Sequence, residues 1–188
     1  PFITEVIENV LPFVNRALIT MSDKSDEKTK YEVGKLYANY GDKVKMFWED
    51  VPTPAMLTEE RQKLLDKTSE DWILFLDADD LWFPEDLKKV TALLNEDVDA
   101  WAINPYQVVD EKHHDISWNN KWFTKFFRNG KDVHYRHPWP RDLIYKGDRA
   151  LYWKTNHRVQ QLVDVKYYHL SNLMDWRFRD ENWAKSYR

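Results

Sequence analysis

The chain has no cysteine among its 188 residues, and only 4 glycines. Without thiols there can be no disulfide, no thiolate metal site and no cysteine nucleophile, and the lack suits a reducing compartment. No stretch is long and apolar enough to cross a bilayer or to serve as a signal peptide, so the expectation is a soluble, cytoplasmic protein with no membrane span in this chain. Neither sign of charge prevails. Lys and Arg total 28 against 32 Asp and Glu, a net −4 that gives no global signal for nucleic acid and leaves room only for local basic patches. At this length we expect one domain, with no space for a second.

What the chain holds in excess is aromatic: 10 Trp, 10 Tyr and 9 Phe. Ring faces stack on sugars and nucleobases, and they also fill cores; composition alone does not choose between the two.

Periodicity gives the organisation. FITEVIENVLPFV carries a helical apolar stripe ending near Pro12, and NRALITM reads as a strand. The polar turn SDKSDEKT then caps a helix KYEVGKLYANYG that Gly41 ends. DKVKMFWED is a second strand, PTP a break, and TEERQKLLDKTSE a helix with Thr58 as its N-cap. PEDLKKVTALLNE is a helix with Pro84 near its start and Asp86 in its first turn, and VDAWAINPYQVV a strand. Alternating helix and strand predict an α/β fold with a largely parallel sheet. Beyond about Tyr106 the pattern loosens, and VQQLVDVKYYHLSN reads as a short strand or edge segment before a polar terminal helix.

The stretch WILFLDADDLWFPEDL, Trp72 to Leu87, concentrates the chemistry. Five apolar residues without alternation predict a strand covered on both faces, at the centre of a parallel sheet. Ligands collect at the carboxyl ends of such strands, and this end carries Asp77, Asp79 and Asp80. Carboxylates that close repel one another unless a cation lies among them, so a divalent metal is the first expectation, with capping of the next helix as the bland alternative. A calcium loop of the EF-hand kind fails, because positions 5, 6 and 12 counted from Asp77 are Leu81, Trp82 and Lys88. A haloacid-dehalogenase-type phosphatase also sets an acid pair after an apolar strand, but near the chain start and followed by a small residue, as here it is not.

The order of these elements resembles glycosyltransferase family 2. Its members show a strand ending in an Asp-Asp-Gly-Ser-like turn, a helix opening with Ala-Arg-Asn, then a strand running into Asp-x-Asp-Asp before a Pro-initiated helix. Here the turn is Ser22 to Thr29, the arginine is Arg61, and the last element is LDADDLWFPEDL. The resemblance covers roughly residues 1 to 110. Two departures stand out: Ser22 replaces the first Asp of the turn, and the family's first strand would precede Pro1.

The resemblance implies a GT-A, Rossmann-like three-layer sandwich with a mostly parallel central sheet, as a single domain over residues 1–188. Residues 1–106 would bind the nucleotide-sugar and 107–188 the acceptor. It implies a metal-dependent, inverting hexosyltransferase that uses Mn²⁺ or Mg²⁺ and a nucleotide-sugar donor, UDP-linked. The acceptor hydroxyl would belong to a carbohydrate, a lipid, a protein or a modified nucleic-acid base. A non-catalytic sugar- or nucleotide-binding module is the alternative. Within this reading Asp79 is the first metal ligand, Asp77 touches the ribose or the metal, and Asp80 orients the site or binds the donor sugar. Asp23 would accept hydrogen bonds from the base, or merely cap a helix; Arg61 would face the diphosphate, or solvent. His169, after the apolar VKYY run, is a candidate to complete the metal shell. His157 matches a family histidine, but Arg158 stands in place of the Glu that follows it. The base that takes the acceptor proton is then assigned to Asp142, with Asp148, Asp164 and Asp175 behind it. Trp118, Trp122, Trp139 and Trp153 are candidates for an acceptor platform or for core.

Overall fold

Helix α1 (Ile3–Val10) buries Ile3, Val6, Ile7 and Val10, the stripe that its sequence predicts, and Pro12 follows within a short 3-10 turn. The computed structural model describes residues 3–49, 56–108, 114–115, 121–136 and 143–170. After strand β1 (Ala17–Ser22), Asp26 caps α2 (Glu27–Tyr40): its carboxylate accepts the Thr29 N–H at 2.9 Å and the Thr29 hydroxyl at 2.7 Å. Gly41 ends that helix with φ +52°, as the sequence predicts. Strand β2 (Val44–Glu49) pairs β1 in parallel. Helix α3 (Leu57–Asp66) corrects one expectation, because Met56 stands at the N-cap and Thr58 lies inside the first turn. Glu59 and Glu60 in that turn offset the helix dipole, which lets the helix start without a side-chain cap.

A six-stranded sheet forms the centre, in the order β3 (Trp72–Leu74), β7 (Phe123–Arg128), β5 (Ala100–Val108), β11 (Val159–His169) and β4 (Asp80–Trp82), with β6 (His114–Asp115) against the end of β5. Among the described residues β1 and β2 form a sheet of their own. A third small sheet takes β8 (Val133–Arg136), β9 (Leu143–Lys146) and β10 (Arg149–Ala150). The sheet is thus parallel only in part. In its centre β5 and β11 run parallel, whereas the β3–β7, β7–β5 and β11–β4 ladders are antiparallel.

Two sequence expectations change here. The Trp72 run lies at the sheet's edge beside an antiparallel neighbour. It is nevertheless covered on both faces, since Trp72, Leu74 and Leu76 pack on one cluster while Ile73 and Phe75 pack on another. Two-faced cover therefore explains the unbroken apolar run without a central position. The segment after Arg158, expected to be a short strand or edge segment, is an eleven-residue strand held between β5 and β4, whose exposed Gln160, Gln161 and Asp164 break its apolar pattern.

Directions decide where the chemistry collects. Two successive antiparallel ladders give β3 the same sense as β5, and β11 is parallel to β5, so three strands end at one edge. Asp77 follows β3 there, Gln107 lies near the end of β5, and His169 ends β11. Helix α4 (Pro84–Ala92), with Pro84 in its first turn, packs over this sheet through Leu87 and Val90. Trp82, fully buried, stacks on Tyr167 with ring centroids 5.2 Å apart and ties β4 to β11. Trp82→Ala should therefore cost about 3–5 kcal/mol of stability, read as a lowered urea midpoint.

Candidate functional site

The three acids form one tight turn. The Asp80 N–H donates to the Asp77 carbonyl at 3.0 Å, and the Asp77 N–H donates to Asp80 Oδ2 at 3.1 Å. Asp80 then opens β4 directly opposite His169 on β11. Side chains of opposed antiparallel residues leave the sheet on the same face, so the pair meets, with His169 Nδ1 2.9 Å from Asp80 Oδ1. The Leu170 N–H donates to the Asp79 carbonyl at 2.8 Å, which pins the turn to the end of β11. Asp79 Oδ2 then stands 3.7 Å from His169 Nε2.

A residue absent from the sequence reading completes the arrangement. Lys125 is 4% exposed, and its ammonium lies 2.5 Å from Asp80 Oδ2 and 3.0 Å from Asp77 Oδ2. The same ammonium sits over the rings of Phe75 at 4.6 Å and Tyr167 at 5.3 Å. It reaches this place through a bulge: Trp101 pairs with Phe126 and Ala102 with Thr124, so Lys125 is the extra residue in β7. Burial opposes its charge, but Asp77 and Asp80 outweigh burial and raise its pKa above the ordinary lysine value. Asp77 also receives Arg61 Nη2 at 2.8 Å on its other oxygen, while the Arg61 guanidinium lies over Phe75 at 4.5 Å. Burial would raise the Asp77 pKa; Lys125 and Arg61 more than reverse that and hold the carboxyl well below the usual range. The sequence signal for Lys125 was a lone lysine inside the aromatic strand FTKFFR, a position tolerated only where carboxylates meet it.

The donor set fits a divalent cation. Ligand atoms from Asp79, Asp80 and His169 all lie within 4.8 Å of one another. Two carboxylates and an imidazole suit Mn²⁺, and Mg²⁺ with more water in its shell. Within the group the roles differ. Asp80 is fully buried, and its oxygens already serve His169, Lys125 and the Asp77 N–H. That is the geometry of a carboxylate that orients a histidine ligand. Asp79 Oδ2 and His169 Nε2 face each other at 3.7 Å.

Other residues singled out in the sequence are dispersed. Asp23 is exposed in the turn after β1, and the cap of α2 is Asp26. His157 is exposed before β11, and Arg158 pairs with Asp97 at 2.7 Å and Asp99 at 3.0 Å. At about 3.3 Å per residue, that end of β11 lies roughly 30 Å from His169. Asp148 is exposed beside Arg136, at 2.9 Å, and Asp164 is exposed at an irregularity of β11, its carbonyl accepting from Lys89. Trp122 and Trp153 pack against the cluster of Leu65, Phe127 and Ile144. Asp142, Asp175, Trp118 and Trp139 lie outside the described residues.

The Asp77 pairing makes a pH prediction. A carboxyl whose folded pKa is depressed stabilises the fold above its unfolded pKa, about 3.9, and loses that contribution as pH falls through the folded value. The stability gap between wild type and Asp77→Asn should therefore be largest near neutrality and shrink progressively below about pH 4 in urea titrations. A gap independent of pH would contradict the pairing.

Residues 1–163 match the family described as Glycosyl transferase family 2. Residues 1–349 of S. aureus TarS share 19% identity with this chain, cover 90% of it and superpose with a TM-score of 0.57. The same TarS fragment in complex with UDP gives 18% identity, 89% coverage and a TM-score of 0.61, and a structure of S. aureus TarS gives the same three values. The chain spans 57%, 56% and 34% of those three chains, respectively. No curated protein matches it in sequence. Likeness at such identity speaks for the fold, which is α/β of the GT-A type, while the family match runs through nearly the whole described region. On that match the chain belongs to glycosyltransferase family 2.

Proposed function

We propose that the chain carries a metal-dependent, inverting glycosyl transfer from a nucleotide-sugar, UDP-linked, to a hydroxyl acceptor. The observation that carries the reading is the Asp79–Asp80–His169 group at the shared carboxyl edge of three strands, within a family 2 domain. The TarS structure that holds UDP supports the choice of nucleotide.

In this reading Asp79 and His169 hold Mn²⁺ or Mg²⁺. The bound ion would act as the Lewis acid for the leaving diphosphate. Asp80 holds the His169 ring through Nδ1, so that Nε2 points towards Asp79. Arg61 and Lys125 fix the Asp77 carboxylate, whose side chain keeps 34% exposure and so can meet the donor's ribose. Asp23 is assigned to the base, and Asp142 to accepting the acceptor's proton. Residues 1–106 supply most donor contacts and 107–188 the acceptor side, with His169 and Lys125 reaching back across that division. The acceptor class stays open among carbohydrate, lipid, protein and modified nucleic-acid base.

A panel of nucleotide-sugars tests this, with release of nucleoside diphosphate measured with Mn²⁺ and with chelator. Metal-dependent release is expected from a UDP-linked donor, and Asp79→Ala should lower it by at least about hundredfold, since even outer partners of a metal ligand are worth 10–100-fold. Binding without turnover across the panel would favour the non-catalytic module, and unchanged turnover in the variant would remove Asp79 from the site.

A further inference from the structure

The acid turn carries three carboxylates but only part of it faces a cation site. Lys125 and Arg61 take Asp77, and Lys125 also takes one oxygen of Asp80, so two fixed cations face two of the three acids. The lysine is not there by strand register. A bulge in β7 makes it the extra residue opposite β5, and such a bulge re-aims a side chain. Its neighbours favour a cation: carboxylates at 2.5 and 3.0 Å, and the ring faces of Phe75 and Tyr167. A cation built into the protein competes with a diffusible one for the same negative charge.

We propose that Lys125 is a positioning residue of the metal group: a resident cation that keeps Asp77 out of the metal shell and holds the affinity for a free divalent ion low. The ion is then retained together with the diphosphate, which brings the oxygens that Asp77 withholds. The inference rests on the metal-dependent reading above and adds to it an order of events, in which ion and donor bind as a pair.

Titration calorimetry of the full chain with Mn²⁺ alone, and with Mn²⁺ in the presence of UDP, tests it. Wild type should bind Mn²⁺ weakly alone and at least about tenfold more tightly with UDP. A unit charge changes a neighbouring carboxylate's affinity for a proton by about ten- to a thousandfold, so Lys125→Met should bind Mn²⁺ alone at least about tenfold more tightly than wild type. That gain should vanish in Lys125→Met/Asp77→Asn, which binds within about fivefold of wild type, the scale of substitutions that touch no ligand. A merely structural lysine would not raise affinity when removed. If Lys125→Met fails to fold, the double variant, which removes the Asp77 charge together with the lysine and leaves Asp80 held by His169 and a backbone N–H, decides alone: a loss beyond about fivefold makes Asp77 a ligand and overturns the proposal. Equal or weaker binding by folded Lys125→Met also overturns it while leaving the metal reading standing. No binding of Mn²⁺ by any form, with or without UDP, overturns the metal reading and this inference together.

Discussion

Lys125 lies where its ammonium meets the carboxylates of Asp77 and Asp80 and the rings of Phe75 and Tyr167, and the geometry of the acid turn depends on that contact. Taking one ammonium and a fully buried carboxylate out of water costs several kcal/mol per ion, and only close, well-satisfied pairing offsets it. Here the pairing is nearly complete. Asp80 spends both oxygens on His169, Lys125 and a backbone N–H, and Asp77 divides its own between Lys125 and Arg61. Repulsion within the turn is thereby relieved by the protein itself, so the turn can keep its shape before any ligand arrives.

The fold supplies each partner from a different strand. Antiparallel register sets Asp80 against His169, the parallel run of β5 and β11 brings Gln107 to the His169 carbonyl at 3.2 Å, and the bulge in β7 delivers Lys125. At the opposite ends of β5 and β11, Arg158 binds Asp97 and Asp99, and Lys146 reaches Asp99 at 2.9 Å. Charge thus closes both ends of the central ladder. The far end is structural; the near end holds the ligand-type side chains. Function and stability share one construction here, because the contacts that register β4 on β11 also orient the histidine.

Much of this was legible in the sequence, and the limits have physical causes. The acids at the end of an apolar run pointed to the turn where Asp79 and Asp80 gather with His169, since like charges gather only where something compensates them. Gly41 and Pro84 fixed helix ends through their backbone geometry. His169 was visible as a histidine after an apolar run. What compensates the acids was not visible: Lys125 is 45 residues from Asp80, and nothing local says that a bulge will turn it inward. The edge position of Trp72–Leu74 was hidden because packing on both faces gives the same unbroken apolar run at an edge as at a centre. The long β11 was hidden because Gln160, Gln161, Val163 and Asp164 are exposed, so that hydrogen bonding rather than burial defines half of it. Arg158, which stands where the family has a Glu, clamps Asp97 and Asp99, and His157 beside it is exposed.

In the reading proposed above, one face of the acid turn is committed to Lys125 while Asp79 and His169 hold a cation. Anomalous diffraction from crystals grown with Mn²⁺ and UDP tests it most directly. The account predicts a manganese peak bound by Asp79 Oδ2 and His169 Nε2 and by diphosphate oxygens, with Asp77 still held by Arg61 and Lys125. Manganese coordinated by Asp77, with Lys125 displaced from it, would contradict the account.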